Sequence, residues 1–203
     1  MRNLAAALLV SHGIPMLCMG DEYGHTKLGN NNTYCHDSPL NWMDWSQAEK
    51  DEQGLVRFVR GMIQLRKMHP ELQRTQFVND RDIQWHGVIP NEPDWSDTSR
   101  LVAYSLEDYR GGGLFVAFNS SHLPKMLSLP KRAGRVWQQI VDTTKVAPYD
   151  ILIPDEELSA ADVNEARAVS AMWTAEHAYP LLPWSCIVLE SVPEEKVAVV
   201  KAI

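Results

Sequence analysis

The spacing of apolar positions changes character along the 203-residue chain. Residues 2–12 carry Leu4, Leu8 and Leu9 on one helical face, with Ala5–Ala7 adding propensity, and Gly13 ends the run. Ile14–Met19 is a short, continuous apolar stretch between Gly13 and Gly20. Such a run suits a strand buried on both faces of a parallel sheet, so the opening reads as helix, tight turn and buried strand. Ser46-Gln-Ala-Glu49 has the spacing of a capping box at a helix start. From Leu55 the stripe Leu55, Phe58, Val59, Met62 and Leu65 recurs at helical intervals, with Arg57, Arg60, Gln64 and Lys67 mostly on the opposite face. Pro70 stops this helix, and Gly54 divides it from the one before.

Beyond residue 75 the period shortens. Gln84–Ile89, Leu101–Leu106, Leu114–Asn119, Met126–Leu129, Val136–Val141 and Ser185–Ser191 read as strands. Gly111–Gly113 and the prolines at 124, 130 and 148 mark turns between them. The texture is that of a small antiparallel β-sandwich. Ser159–His177 is rich in Ala and Glu and reads as a helical insertion before the last strand. The expected organisation is therefore α/β plus all-β, with units at 1–75 and 76–193 and a loosely packed tail at 194–203.

Charge narrows the function. A net charge of −7 argues against nucleic-acid binding, which needs a concentrated basic surface. No apolar run approaches the length of a membrane span. Cys18, Cys35 and Cys186 are few, odd in number and far apart, which reads as free thiols. The first residues flow straight into GIPMLCMGDEYG without a separate cleavage region, so they read as structural rather than as a signal peptide.

Residues 20–45 form a long polar, aromatic-bearing loop after the expected buried strand, where α/β folds place ligands. Asp21 and Glu22 within Gly20-Asp-Glu-Tyr-Gly-His25 could act as acid and base. However, neighbours in extended backbone point to opposite faces, whereas a retaining glycosidase needs two converging carboxyls. Cleft-lining or backbone-holding roles stand beside the catalytic one. Asn30, Asn31 and Asn32, followed by Tyr34, suit either a tightly turned loop or sugar recognition, since an amide donates and accepts as a hydroxyl does. His25, Cys35, His36 and Asp37 lack the ligand spacing of a metal site, and no cofactor is expected. Trp42 and Trp45 read as packing the loop onto the next helix. His12 and His69 read as partners of helix-terminal carbonyls, while His86, His122 and His177 suggest no chemistry. No phosphate-binding glycine loop, nucleophile elbow or Cys-x-x-Cys is present.

The ordered motifs GDEYGH, NNNTYCHD, a Trp-bearing loop and a helix ending in LRKMHP resemble the isoamylase-type debranching branch of the α-amylase superfamily. VDTTKVAPYDIL and YPLLPWSCIVLES resemble its plant and algal members. The resemblance implies the end of a (β/α)8 barrel, its last strand and helix, followed by a C-terminal β-sandwich, in a C-terminal fragment of a longer enzyme. It implies hydrolysis of α-1,6 branch points in starch or glycogen, with the catalytic carboxylates on strands absent from this chain. Asp21, Glu22, Tyr23, His25, Asn30, Asn31, Asn32 and Tyr34 would line the cleft or touch a branched α-glucan. His12 stands where relatives often carry Gln. The expected location is the plastid stroma for a plant or algal source and the cytoplasm for a bacterial one, and the family admits oligomers with other debranching subunits. Two other readings remain open: a non-catalytic glucan-binding or regulatory subunit, and an independently folding β-sandwich.

Overall fold

The computed structural model describes residues 1–109 and 111–195. Its centre is a five-stranded antiparallel sheet in the order β1-β2-β3-β7-β5. The strands are β1 (Ile83–His86), β2 (Leu101–Glu107), β3 (Gly113–Asn119), β5 (Arg135–Asp142) and β7 (Ser185–Pro193). A second, two-stranded sheet pairs β4 (Lys125–Ser128) with β6 (Ala178–Leu181).

Alternation along the central strands builds two cores. Leu114 and Val116 of β3, with Cys186 and Val188 of β7, face two helices, α1 (Arg2–Val10) and α3 (Leu55–Met68). The helices answer with Ala6, Leu9, Val10, Phe58, Met62 and Leu65. Phe115, Ala117, Ile187 and Leu189 face the other way and meet Leu127, Trp137, Tyr179 and Leu181. β3 and β7 are therefore covered on both faces, which explains their near-continuous apolar composition. The turn into β3 requires glycine at 113: φ is +144°, and a Cβ there would lie 2.0 Å from the Leu106 carbonyl oxygen.

α3 has the bounds its stripe implies, and α2 (Trp45–Lys50) precedes it across Gly54, whose φ is +64°. The inserted helix is α4 (Ala160–Thr174), opened by a capping box between Ser159 and Asp162. Several expectations are corrected. Ile14–Met19 forms no strand, and Ile14 is 98 % exposed, because no described residue offers a parallel neighbour for the run. The N-cap of α2 is Asp44, whose carboxylate accepts from the amides of Ser46 and Gln47, not Ser46 itself. Arg57 lies on the buried side of α3, drawn there by Asp150 and Asp155. β6 was not expected as a strand, since its four residues include Pro180, which only an edge strand tolerates.

Helix ends also differ from expectation. Arg66 donates to the carbonyls of Leu9, Ser11 and Gly13 at 2.8, 2.7 and 2.6 Å, taking the role assigned to His12. His69 pairs instead with the buried Glu71 carboxylate at 2.8 Å. Most of the expected tail, from residue 196, lies outside the described residues, while Glu194 donates its amide to the Gly134 carbonyl.

Candidate functional site

The loop from Gly20 to Asp44 begins with a turn that only glycine fits. Gly20 has φ +103°, and a Cβ would approach His25 Cβ to 2.7 Å. Asp21–Tyr23 then form one 3₁₀ turn. The two carboxylates are both engaged by local backbone. The Gly20 amide donates to Glu22 at 2.8 Å, and the Cys18 amide donates to Asp21 at 3.1 Å. Each stabilises the turn that carries it, in the manner of a capping side chain.

Tyr23 and His25 brace the loop across its width. The Tyr23 hydroxyl lies 2.8 Å from His25 Nδ1 and accepts the Asp44 amide at 3.2 Å. His25 Nε2 lies 3.0 Å from both Lys27 Nζ and the Leu40 carbonyl. Nε2 cannot both accept from Lys27 and donate to the Leu40 carbonyl, so the proton arrangements alternate, and one of them leaves Nε2 as an acceptor. In that one Lys27 donates to Nε2 and to the Leu40 carbonyl, Nδ1–H donates to Tyr23, and Tyr23 donates to Met43 Sδ at 3.8 Å. Asp44, exposed at the α2 cap, is held below the usual carboxylate range, first by the Ser46 hydroxyl and then by the Gln47 amide.

The asparagine run splits its roles. Asn30 accepts the Asn32 amide at 3.0 Å and Asn32 accepts the Tyr34 amide at 3.2 Å, giving two successive Asx turns. Asn31 and Tyr34 stand outward, Tyr34 at 83 % exposure. Asn41, which sequence reasoning missed, pins the loop by donating to the carbonyls of Thr33 and His36 at 2.8 and 2.7 Å. Trp42 donates to Asp37 at 2.8 Å, so this Trp is a brace with an exposed ring. Beside the turn lies an apolar cleft of about 240 Å³, lined by Leu4, Leu8, Leu17, Asp21, His25 and Leu55 among others. Among the described residues no group of three or more His, Cys, Asp and Glu could hold a metal ion. The structure thus joins Asp21, Glu22, Tyr23 and His25 in one braced turn and leaves Asn31 and Tyr34 as the outward polar and aromatic groups.

The family model for the C-terminal region of isoamylases 1–3 matches residues 84–189, just over half of the chain. The chain belongs to this family. Its sequence is 45 % identical to the chloroplastic isoamylase 1 of Oryza sativa over 195 residues, 96 % of this chain and 24 % of the rice protein. A glycogen debranching enzyme of Cronobacter sakazakii is 41 % identical over 110 residues, 52 % of this chain and 16 % of that protein. This isoamylase-family chain therefore spans about a quarter or less of these relatives. Among solved structures, a mutant pullulanase of Paenibacillus barengoltzii complexed with maltotriose superposes with a TM-score of 0.60 at 25 % identity. That match covers 93 % of this chain and 24 % of the pullulanase. The fold is thus that of the C-terminal region of pullulanase-like enzymes, a mixed α/β unit built on an antiparallel sheet.

Proposed function

We propose that this chain is the C-terminal part of an isoamylase-type glycoside hydrolase that cleaves α-1,6 branch points of starch or glycogen with retention. In this reading residues 1–75 close a (β/α)8 barrel, with Ile14–Met19 its last strand and α3 its last helix. Residues 76–193 form the C-terminal β-sandwich. The observation that carries the reading is the open apolar run at Ile14–Met19. A segment apolar on both faces, without a ladder partner among the described residues, is what a parallel strand looks like when its neighbours lie elsewhere in the polypeptide.

The loop of residues 20–45 then sits at the C-terminal end of that strand, the face where barrels bind substrate. Asp21, Glu22, Tyr23 and His25 hold the cleft wall, while Asn30, Asn31, Asn32 and Tyr34 border the branched glucan. The nucleophile, the acid/base group and the third carboxylate belong to strands outside this chain. Asp21 and Glu22 are not assigned that role, since each accepts one backbone amide of its own turn and serves to hold it. The plant relative's chloroplastic name supports a plastid location for a plant or algal source; a bacterial source would imply cytoplasm. Oligomers with other debranching subunits fit the same reading.

A second reading, a non-catalytic glucan-binding or regulatory subunit, is favoured by the loop's self-supporting bonds through His25 and Asn41. One set of assays separates the two. Residues 1–203 alone release no reducing ends from pullulan or amylopectin; turnover would overturn the placement of the carboxylates elsewhere. Adding the upstream barrel polypeptide restores turnover under the first reading and not under the second. In gels containing amylopectin the chain is retarded, and Asn31→Ala or Tyr34→Ala relieves the retardation. Mobility unaffected by glucan rejects the loop as a binding element.

A further inference from the structure

Strand β1 and its connection to β2 together hold two tryptophans at the surface. Trp85, on edge strand β1, stands opposite Tyr104 of β2, with ring centroids 5.4 Å apart. Tyr104 is buried and forms the floor. Trp95 leans edge-on against Trp85 at 5.3 Å, the rings crossing at 71°. Trp85 keeps 40 % and Trp95 65 % of its surface in solvent.

The loop leaves these rings little freedom to turn inward. At Gly87 a Cβ would lie 2.1 Å from the Glu92 carbonyl oxygen, so the chain closes tightly on itself there. The Asn91 amide donates to His86 Nδ1 at 2.9 Å. Asp94 accepts the Ser96 amide at 3.0 Å, and the Ser99 amide donates to the Ser96 carbonyl at 3.0 Å. Because Trp85 and Trp95 touch, their exposed surfaces form one aromatic patch rather than scattered single rings.

The chemistry around the rings selects a ligand. Glu92, Asp94 and Asp97 supply acceptors, Ser96 and Thr98 supply hydroxyls, and β1 is an edge strand with outward backbone groups. A cleft of about 370 Å³ in this loop is lined by Glu92, Asp94, Thr98, Arg100 and Lys125 among others, while Trp85 and Trp95 lie outside it. Two carboxylates and two cations balance along the cleft, and with the hydroxyls of Ser96 and Thr98 nearby they offer both donors and acceptors, which suits a neutral polyol. Rings crossing at 71° offer a bent platform rather than a flat one. That shape fits a curved α-linked chain better than the flat ribbon of a β-linked one.

We propose that Trp85 and Trp95 form an accessory, non-catalytic contact site for an α-glucan chain, stacking on pyranose faces while sugar hydroxyls donate to the loop carboxylates. The identity of the ligand rests on the glucan reading above; the site itself is separate from the loop of residues 20–45. A weak second contact gains on a polymeric substrate, because the first contact raises the local concentration of the chain.

The test follows the seven indole N–H signals of ¹⁵N-labelled residues 1–203, assigned with single Trp→Phe variants. Maltoheptaose is added to about 10 mM, enough to reveal a millimolar site. The Trp85 and Trp95 signals shift together along one isotherm. Trp95→Ala, read on Trp85, weakens that isotherm about tenfold, as loss of one stacked ring implies, with the other indole signals confirming the fold. Trp173→Phe, on α4, leaves it unchanged, and cellohexaose moves neither signal. Static Trp85 and Trp95 signals overturn the site even when the amides of Asn30–Tyr34 shift. Shifts at the two indoles with static loop amides support the site and reject the loop reading instead. Equal response to cellohexaose overturns the assignment to α-linked chains.

Discussion

At the residue scale, His86 shows how burial turns an ordinary side chain into a pH-dependent one. Its ring stacks on Phe115 at 5.6 Å, accepts the Asn91 amide at Nδ1, and lies 3.1 Å from the Ser105 hydroxyl through Nε2. The acceptor role fixes the neutral tautomer with its proton on Nε2. Burial, then the positive charge of Arg132, lowers its pKa from 6.5 to about 4. Between those values the unfolded chain binds a proton that the folded chain refuses. This contribution to stability is therefore complete above pH 6.5 and is lost as pH falls toward 4. The loss amounts to on the order of 3 kcal/mol. Urea midpoints for the wild type should fall more steeply between neutral pH and the lower value than those of His86→Gln. Parallel profiles would remove His86 from the acid response.

At the scale of elements, a buried charge network binds helices to sheet. Asp150 is fully buried between Arg2 of α1 and Arg57 of α3, the latter at 3.4 Å. Arg57 also donates to the Pro148 carbonyl at 2.9 Å and lies 2.8 Å from Asp155. Two helices and the segment after β5 thus share one set of ions. Asp150→Ala leaves two guanidinium groups without their shared anion and is expected to cost about 3 kcal/mol in urea unfolding. A loss below roughly 1 kcal/mol, the level of an exposed pair, would mean that water replaces the carboxylate. The helical stripe of α3 was legible in the sequence, because its period reports one buried face. Arg57 was not, since its partners lie some ninety positions away and leave no local signature.

At the scale of the whole molecule, firm and open regions divide unevenly. α1 and α3 are seated in the core of the central sheet, while residues 11–50 are tied mainly by their own turns. Leu4, Ile14, Met16 and Met19 are exposed together near the start of the chain. Apolar groups so presented favour association. Residues 1–203 are therefore expected to self-associate with rising concentration in light scattering, and Ile14→Glu with Met16→Glu should reduce this. Limited chymotrypsin digestion should cut within residues 11–50 first and leave the sheet intact. A monodisperse chain resistant throughout would contradict the open-face assignment on which the barrel reading depends.

The sequence by itself determined what repeats locally: α1, α3, α4, six of the seven strands, and a polar loop following an apolar run. It also named the family, because GDEYGH, NNNTYCHD and LRKMHP are compact strings whose order survives without a structure. Tertiary structure alone decided that Ile14–Met19 lies open, that Pro180 sits in a paired edge strand, and that Asp21 and Glu22 are held by amides of their own turn. It also set Trp95 against Trp85 and brought Asp150 between two arginines. The reason is common to all of these: periodicity states which face of a segment is apolar, but pairing, burial and charge compensation depend on which distant segments arrive to meet it.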